Sequence, residues 1–178
     1  DAFGGPDAAA SNFTSIQKAV NYSMTSVFTT GGIRGKKNNM GGQFHPRSFN
    51  FGISRKVYEK DGGYIITRMG EDIEFSIRII ENGFKVGLIP EAFIYHKRRT
   101  DFKQFFKQLH FFGRARINIS RFFPKELKLV HWFPALFTIY LVSIPLLLLL
   151  IPILGKIAFG FLVLFLLLLF IDGSIKNE

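Results

Sequence analysis

The residues best suited to chemistry are the carboxylates of Gly70-Glu71-Asp72, which stand where a loop is predicted to enter a helix. A carboxylate held at such a junction by free backbone N–H groups stays ionised and fixed in direction. That suits a general base that takes a proton from an attacking hydroxyl. Acidic residues are also favoured in any first helical turn, because they complement the helix dipole. The triplet alone therefore leaves a catalytic base and an ordinary helix start both open.

A second group of candidates, His96, Arg98 and Arg99, follows a predicted strand. In open α/β sheets, ligands collect at the carboxyl ends of strands. A histidine there can bind a metal or a phosphate, and two arginines beside it can receive a diphosphate. The alternatives are a histidine that satisfies local hydrogen bonds and arginines that contact lipid headgroups.

The elements that must position these residues alternate between helix and strand. Helices are predicted over Asn12–Thr29 and Glu71–Asn82, the second with an apolar face of Ile73, Ile77 and Ile80 and an end at Gly83. Strands are predicted within 84–89 and 92–95, and 49–57 is interpreted as a strand followed by a helical turn. This alternation implies an α/β domain.

Gly31–Gly42 is a basic, Gly-rich loop that superficially resembles a phosphate-binding P-loop. The spacing does not fit, because Thr30 stands five positions before Gly35 and Lys36 is followed by another lysine. We interpret it either as an inert surface loop or as a loop that closes over a phosphate-bearing ligand.

Charge and hydropathy divide the chain. Residues 1–130 hold 21 of the 23 Lys and Arg and 11 of the 13 Asp and Glu, so the whole net charge of +10 lies there. From Trp132 to Leu154 no residue is charged, and this run is long enough for a bilayer core of about 30 Å. The next apolar run, Ile157–Ile171, reaches only about 22 Å as a helix, which leaves a thin span, a re-entrant piece or a truncated helix open. Neither run has a polar face, which favours membrane insertion over a buried soluble helix.

The segment Asp101–Phe112 has Phe and Leu at helical spacing with Lys and Gln on the other face. Such a helix suits the membrane interface, and the alternative is a helix that packs on its own domain. The basic residues before the first apolar run favour a cytoplasmic position for this flank. Without cysteine, disulfides and thiolate metal sites are excluded. No specific nucleic-acid binding is expected, because no groove-binding or stacking motif accompanies the positive charge.

In their order and spacing, these motifs resemble family-2 glycosyltransferases with the GT-A fold. The stretch Gly70–Ile119 resembles the second half of that family's catalytic domain, as do GGP at Gly4–Pro6 and FNFGISRKVYEKDGGY at Phe49–Tyr64. The resemblance implies an α/β fold: a partial, Rossmann-like GT-A domain, then an amphipathic interface helix and one or two transmembrane helices. These segments are placed at 1–100, 101–130 and 131–178.

The resemblance also implies roles for single residues. Asp72 is similar to the catalytic base for displacement with inversion, and Glu71 would support it. His96 is similar to a histidine that joins the metal on the donor diphosphate, which is expected to be Mg²⁺ or Mn²⁺. Substrate-binding roles are expected for Asn50, Arg55, Arg98 and Arg99.

The sequence departs from the family in two places. The Gln-x-x-Arg-Trp motif of processive members is replaced by Gln108-Leu109-His110-Phe111-Phe112, which favours transfer of single sugars. The nucleotide-binding half and its Asp-x-Asp are expected upstream of Asp1, since Asp7 has no second Asp two positions away. The isolated chain is therefore expected to be inactive.

The expected activity is inverting, metal-dependent transfer of a sugar from a nucleotide-sugar donor. The expected acceptor is a lipid-linked sugar or a surface glycan, as in cell-surface polysaccharide biosynthesis. The expected location is a cell membrane, such as a bacterial inner membrane, with the catalytic domain on the cytoplasmic face. The alternative is a non-catalytic, membrane-anchored scaffold that binds anionic lipid or an acidic partner.

Overall fold

The computed structural model describes residues 1–30, 43–66 and 68–176. The chain divides into two compact units, Asp1–Leu127 and Lys128–Glu178. The Gly-rich loop Gly31–Gly42 lies outside the described residues, so both interpretations of it stay predictions. The segment boundaries at residues 100 and 130 also stay predictions.

The first unit is a mixed α/β structure that is mostly helical. Its strands are β1 (Ala2–Gly4), β2 (Asp7–Ala8), β3 (Phe51–Ile53), β4 (Val86–Leu88) and β5 (Ile94–Tyr95). Its helices are α1 (Ser15–Thr25), α2 (Val27–Thr30), α3 (Arg55–Asp61), α4 (Glu71–Glu81) and α5 (Phe102–Phe122). The predicted alternation of strand and helix is confirmed, although the strands are shorter than predicted.

The strands form two small sheets. One has the order β3-β1-β4, with β1 antiparallel to β3 and parallel to β4, and the other pairs β2 with β5 in parallel. Gly4 is aligned with both Leu88 and Phe51, so the carboxyl ends of β1 and β4 share an edge with the start of β3. At this edge the chain passes very close to its neighbours: a Cβ at Gly5 would lie 1.7 Å from the carbonyl oxygen of Ala92. Only glycine fits there.

Helix α4 forms as predicted but is buried on two sides. Phe75 and Ile79 pack in one core cluster with residues of β1 and α3, whereas Ile73 and Ile77 pack in another with Ile119 of α5. The prediction of a single apolar face ending in Ile80 is therefore wrong. Periodicity suggests one face, but α4 lies between the three-stranded sheet and α5, and both neighbours exclude water from it.

Helix α5 begins at its N-cap Asp101, whose side chain accepts a hydrogen bond from the backbone N–H of Gln104 (2.8 Å), and continues ten residues beyond the predicted end. Its second half packs on the rest of the first unit through Ala115 and Ile119, which are buried. Its first half exposes Phe102 and Phe106, at 67% and 71% of their surface. The buried residues lie beyond the predicted segment Asp101–Phe112, so its placement at a membrane interface stays a prediction.

The second unit contains α6 (Phe133–Leu150) and α7 (Pro152–Lys176), separated by the single residue Ile151. Gly155 lies within α7, and its backbone packs against Leu148 of α6; a Cβ there would lie 2.4 Å from the Leu148 backbone nitrogen. At 25 residues, α7 is about 37 Å long, so the predicted short second run is corrected to a full-length helix.

Within the described residues, two helices are long and apolar enough to cross a membrane: Leu129–Leu150, which extends α6 by one turn, and Pro152–Lys176. Only 6% of the residues in the most apolar window of each are buried, which is unlike the core helix of a soluble protein.

Candidate active site

The Gly-Glu-Asp triplet lies at a sharp turn into α4. Met69 and Gly70 both have positive φ, 64° and 103°, a backbone conformation that glycine adopts far more readily than other residues. A Cβ at Gly70 would lie 2.6 Å from Cδ1 of Ile119. Because Gly70 has no side chain, the turn packs directly on α5. This contact fixes the position of the start of α4, where Asp72 lies.

The carboxylate of Asp72 is held from two directions. Oδ1 accepts a hydrogen bond from the backbone N–H of Ile73 at 2.9 Å, and Oδ2 accepts one from the backbone N–H of Ser48 at 3.4 Å. The guanidinium of Arg47 lies 4.0 Å from Oδ2, and the Asp72 side chain is 15% exposed. Glu71 turns back instead, accepting from the N–H of Gly70 at 3.2 Å. Asp72 is therefore the better oriented of the two predicted carboxylates.

Two further titratable side chains are within electrostatic reach of Asp72. Partial burial, and then the charges of Asp72 and Glu71, raise the pKa of the Tyr64 phenol. Burial, and then the neighbouring charge of Arg47, lower the pKa of the Arg116 guanidinium, while the carboxylates of Glu126 and Asp72 act in the opposite direction.

Three neighbours of Asp72 were not predicted from the sequence: Arg47, Tyr64 and Arg116. They come from two loops and from α5, and they stand 25, 8 and 44 residues from Asp72 along the chain. The fold brings these side chains within electrostatic reach of Asp72, and their spacing along the chain did not predict it.

The turn 47–50 joins Asp72 to the region of His96. Arg47 and Ser48 face Asp72, while the ring of Phe49 stacks on the imidazole of His96, with centroids 4.3 Å apart and planes at 21°. Asn50 donates from Nδ2 to the carbonyl of Ala92 at 2.7 Å. The turn 47–50 therefore includes one predicted functional residue, Asn50, and contacts two others, Asp72 and His96.

The predicted metal site is not assembled by the described part of the chain. His96 follows β5, and its backbone N–H donates to the carbonyl of Ala8 at 3.2 Å. Among the described residues, no three His, Cys, Asp or Glu side chains are placed to hold one ion together. His96 therefore provides one nitrogen, without the carboxylate oxygens that Mg²⁺ or Mn²⁺ prefers.

Arg98 points into the protein rather than toward a ligand. Its guanidinium pairs with the carboxylate of Asp7, and Nε donates to Oδ1 of Asn21 at 2.9 Å. Its backbone carbonyl accepts from Nε2 of Gln17 at 3.1 Å, and its side chain is only 1% exposed. Arg98 therefore connects β2 with α1, and its burial leaves no exposed guanidinium for a diphosphate.

The two remaining predicted residues lie apart from this group. Arg99 is exposed after β5. Arg55 opens α3 and is also exposed. Arg55 follows β3 at the end of the sheet where β1 begins, and Asn50 lies at the opposite end. The structure therefore brings Asp72, Asn50 and His96 to one side of the sheet and leaves Arg55 on the other.

Comparison with known proteins adds one match. The family described as Glycosyl transferase family group 2 matches residues 34–172, a range that includes all seven predicted site residues, the first apolar helix and most of the second. Neither a curated protein nor a solved structure matches the chain. Because the family match covers more than three-quarters of its length, the chain belongs to the family-2 glycosyltransferases.

Proposed function

We propose that the protein transfers a sugar, with inversion, from a nucleotide-sugar donor to a lipid-linked or surface-glycan acceptor at a membrane. Family membership supports sugar transfer in general. The observation that favours this chemistry is the Asp72 carboxylate, which is fixed by two backbone N–H groups and flanked by Arg47.

In the proposed reaction, Asp72 removes the proton from the acceptor hydroxyl as its oxygen attacks the anomeric carbon. The bond from that carbon to the donor diphosphate breaks on the opposite side, and the diphosphate leaves with the electron pair. The N–H groups of Ser48 and Ile73 keep the base aimed. Glu71 contributes indirectly, by hydrogen bonding to the turn that precedes α4.

A divalent ion remains part of the proposal as charge compensation for the leaving diphosphate. The described residues offer only His96 toward it, so no step is derived through a metal. Asn50 is proposed to contact substrate at the same edge, whereas Arg55, Arg98 and Arg99 gain no support from the geometry.

The membrane location is proposed on two features. The helices Leu129–Leu150 and Pro152–Lys176 have the length and composition of transmembrane spans. The first half of α5 exposes Phe102, Phe106 and Leu109, with lysines at the intervening positions. This pattern is typical of a helix that lies in the membrane interface. We place the catalytic face in the cytoplasm as part of the proposal, because basic residues precede α6.

The test is transfer by the complete protein in membranes, with a panel of nucleotide sugars as donors. Asp72→Asn should lower the rate by about 10²- to 10⁴-fold, the usual contribution of a general base, while donor binding persists. The matched control is Glu81→Gln, which removes the same charge from the exposed far end of α4 and should leave the rate unchanged. A normal rate in Asp72→Asn would contradict the assignment. Lipid binding without turnover from any donor would favour the scaffold alternative.

A further inference from the structure

An open groove of about 510 Å³ runs along α5 beside the turn that leads to Asp72. Met69 of that turn forms one wall, and one face of α5 forms the rest. Its lining residues are Met69, His110, Gly113, Arg114, Ile117, Asn118 and Arg121.

The polar lining of the groove suits an anion. Arg114 and Arg121 lie two helical turns apart and are both exposed, with Asn118 and His110 on the same face. None of the seven lining residues is acidic. Guanidinium groups bind phosphate with paired, charge-assisted hydrogen bonds, so this face is built for phosphate oxygens.

The other part of the lining is apolar. Ile117 is 55% exposed, and about two and three turns earlier on the helix Leu109 and Phe106 are also exposed. Together with Met69 they provide an apolar edge that continues from the groove along α5. A ligand that satisfies both parts has an anionic head and an apolar tail. A nucleotide sugar has no such tail, whereas a lipid phosphate has one.

The groove also adjoins the candidate base. Met69 is three residues before Asp72 and has a φ of 64°, a conformation that is unfavourable for a non-glycine residue and that persists only where surrounding structure enforces it. Because the strained residue is itself a wall of the groove, the same turn positions the groove wall and the carboxylate.

We propose that this groove binds the phosphate or diphosphate headgroup of a lipid-linked acceptor. Arg114 and Arg121 contact the phosphate oxygens, and Met69 and Ile117 contact the first part of the lipid chain. That the ligand is the acceptor rests on the proposed transferase activity, whereas binding of a lipid phosphate does not.

The test measures binding of a fluorescent farnesyl phosphate to the full chain in phosphatidylcholine nanodiscs. The groove variant is Arg114→Gln with Arg121→Gln. The matched control is Lys103→Gln with Lys107→Gln, which removes the same charge from α5 outside the groove lining. We expect the groove variant to weaken binding by about tenfold or more, since each pair involves an ionised donor and acceptor. The control should change it less than about twofold, as exposed charges outside the site do.

Competition separates the sources of phosphate. Unlabelled farnesyl phosphate should displace the probe, whereas farnesol, inorganic phosphate and phosphatidylglycerol at equal concentration should not. Equal loss in both double variants, or equal displacement by phosphatidylglycerol, would show general adsorption to anionic lipid and overturn the proposal. Displacement by inorganic phosphate at the same concentration would show that the apolar edge contributes nothing, with the same consequence.

This result is separable from the transfer assay. Probe binding that depends on the two arginines, without turnover of any donor, would leave the lipid-phosphate site standing and refute the transferase proposal. Turnover that depends on Asp72 but not on Arg114 or Arg121 would refute the groove as acceptor site and leave the transferase proposal intact.

Discussion

Replacing Gly70 by alanine tests whether the turn before Asp72 is held against α5. The added Cβ would lie 2.6 Å from Cδ1 and 3.1 Å from Cγ1 of Ile119, at a backbone φ of 103°. Left-handed backbone costs an L-residue about 1–2 kcal/mol, and overpacking a well-filled site costs about 1–3 kcal/mol. We therefore expect Gly70→Ala to destabilise the first unit by about 2–5 kcal/mol.

A second substitution separates the two costs. Ile119→Val removes Cδ1, the atom nearest the new Cβ, and by itself should cost about 0.5–1.5 kcal/mol. In the double variant the steric cost falls while the backbone cost remains. The two changes should therefore be non-additive, with a favourable coupling of about 1–2 kcal/mol, within the range for residues in contact.

Hydrogen exchange of the α4 and α5 amides in the purified full chain measures these free energies. Gly113→Ala on α5 is the control: apart from its chain neighbours and the backbone of its own helical turn, no atom lies within 4 Å of its Cβ position, and alanine should stabilise the helix by about 0.5–1 kcal/mol. In the complete enzyme, Gly70→Ala should also lower transfer by roughly 100-fold, because a 1 Å shift of a reacting group can have that effect. Additive free energies for Gly70→Ala and Ile119→Val would refute the inferred contact.

Three further predictions concern other parts of the chain. Arg98→Met should destabilise the first unit by about 3–5 kcal/mol in hydrogen exchange, because it removes the guanidinium that pairs with the buried carboxylate of Asp7; a loss below about 1 kcal/mol would show that this ion pair contributes little to stability. Tyr64 has a raised pKa in the folded chain, so its contribution to stability is complete below the unfolded value of about 10 and is lost as the pH rises through the folded pKa. Tyr64→Phe should remove that part of the decrease in unfolding free energy at alkaline pH. An unfolding free energy with the same pH dependence as the parent chain would contradict this. Gly155→Leu should separate α6 from α7 and abolish disulfide cross-linking between cysteines placed on their facing sides, whereas Gly160→Leu, in open space, should preserve it.

Local pattern in the sequence determined most of the secondary structure. The positions of α4 and its acidic first turn, the strands around residues 86–88 and 94–95, and the apolar tail all follow from periodicity and turn residues within about twenty positions. The ordered motifs from Phe49 to Ile119 identified the family, because spacing along the chain is itself the signal.

Helix ends and buried faces were less predictable. Helix α5 continues through Gly113 because its second half packs on the rest of the first unit. Packing stabilises a helix by more than the free energy that one glycine costs. The sequence pattern of α4 shows which residues are apolar but not which element packs on each face of the helix. That two faces are buried, one by the sheet and one by α5, is evident only in the tertiary structure.

The candidate site shows most clearly which contacts cannot be predicted from the sequence. The carboxylate of Asp72 was predictable from its place at a helix start, but its partners Arg47 and Ser48 are 24 or 25 residues away, and no motif connects them. Arg98 looked equivalent to Arg99 in sequence, yet it pairs with Asp7, 91 residues earlier. Such pairings depend on which strands meet and how closely two backbones approach. Only the tertiary structure decides these, because the free energy of burying a charge is set by the groups around it and not by its neighbours in the chain.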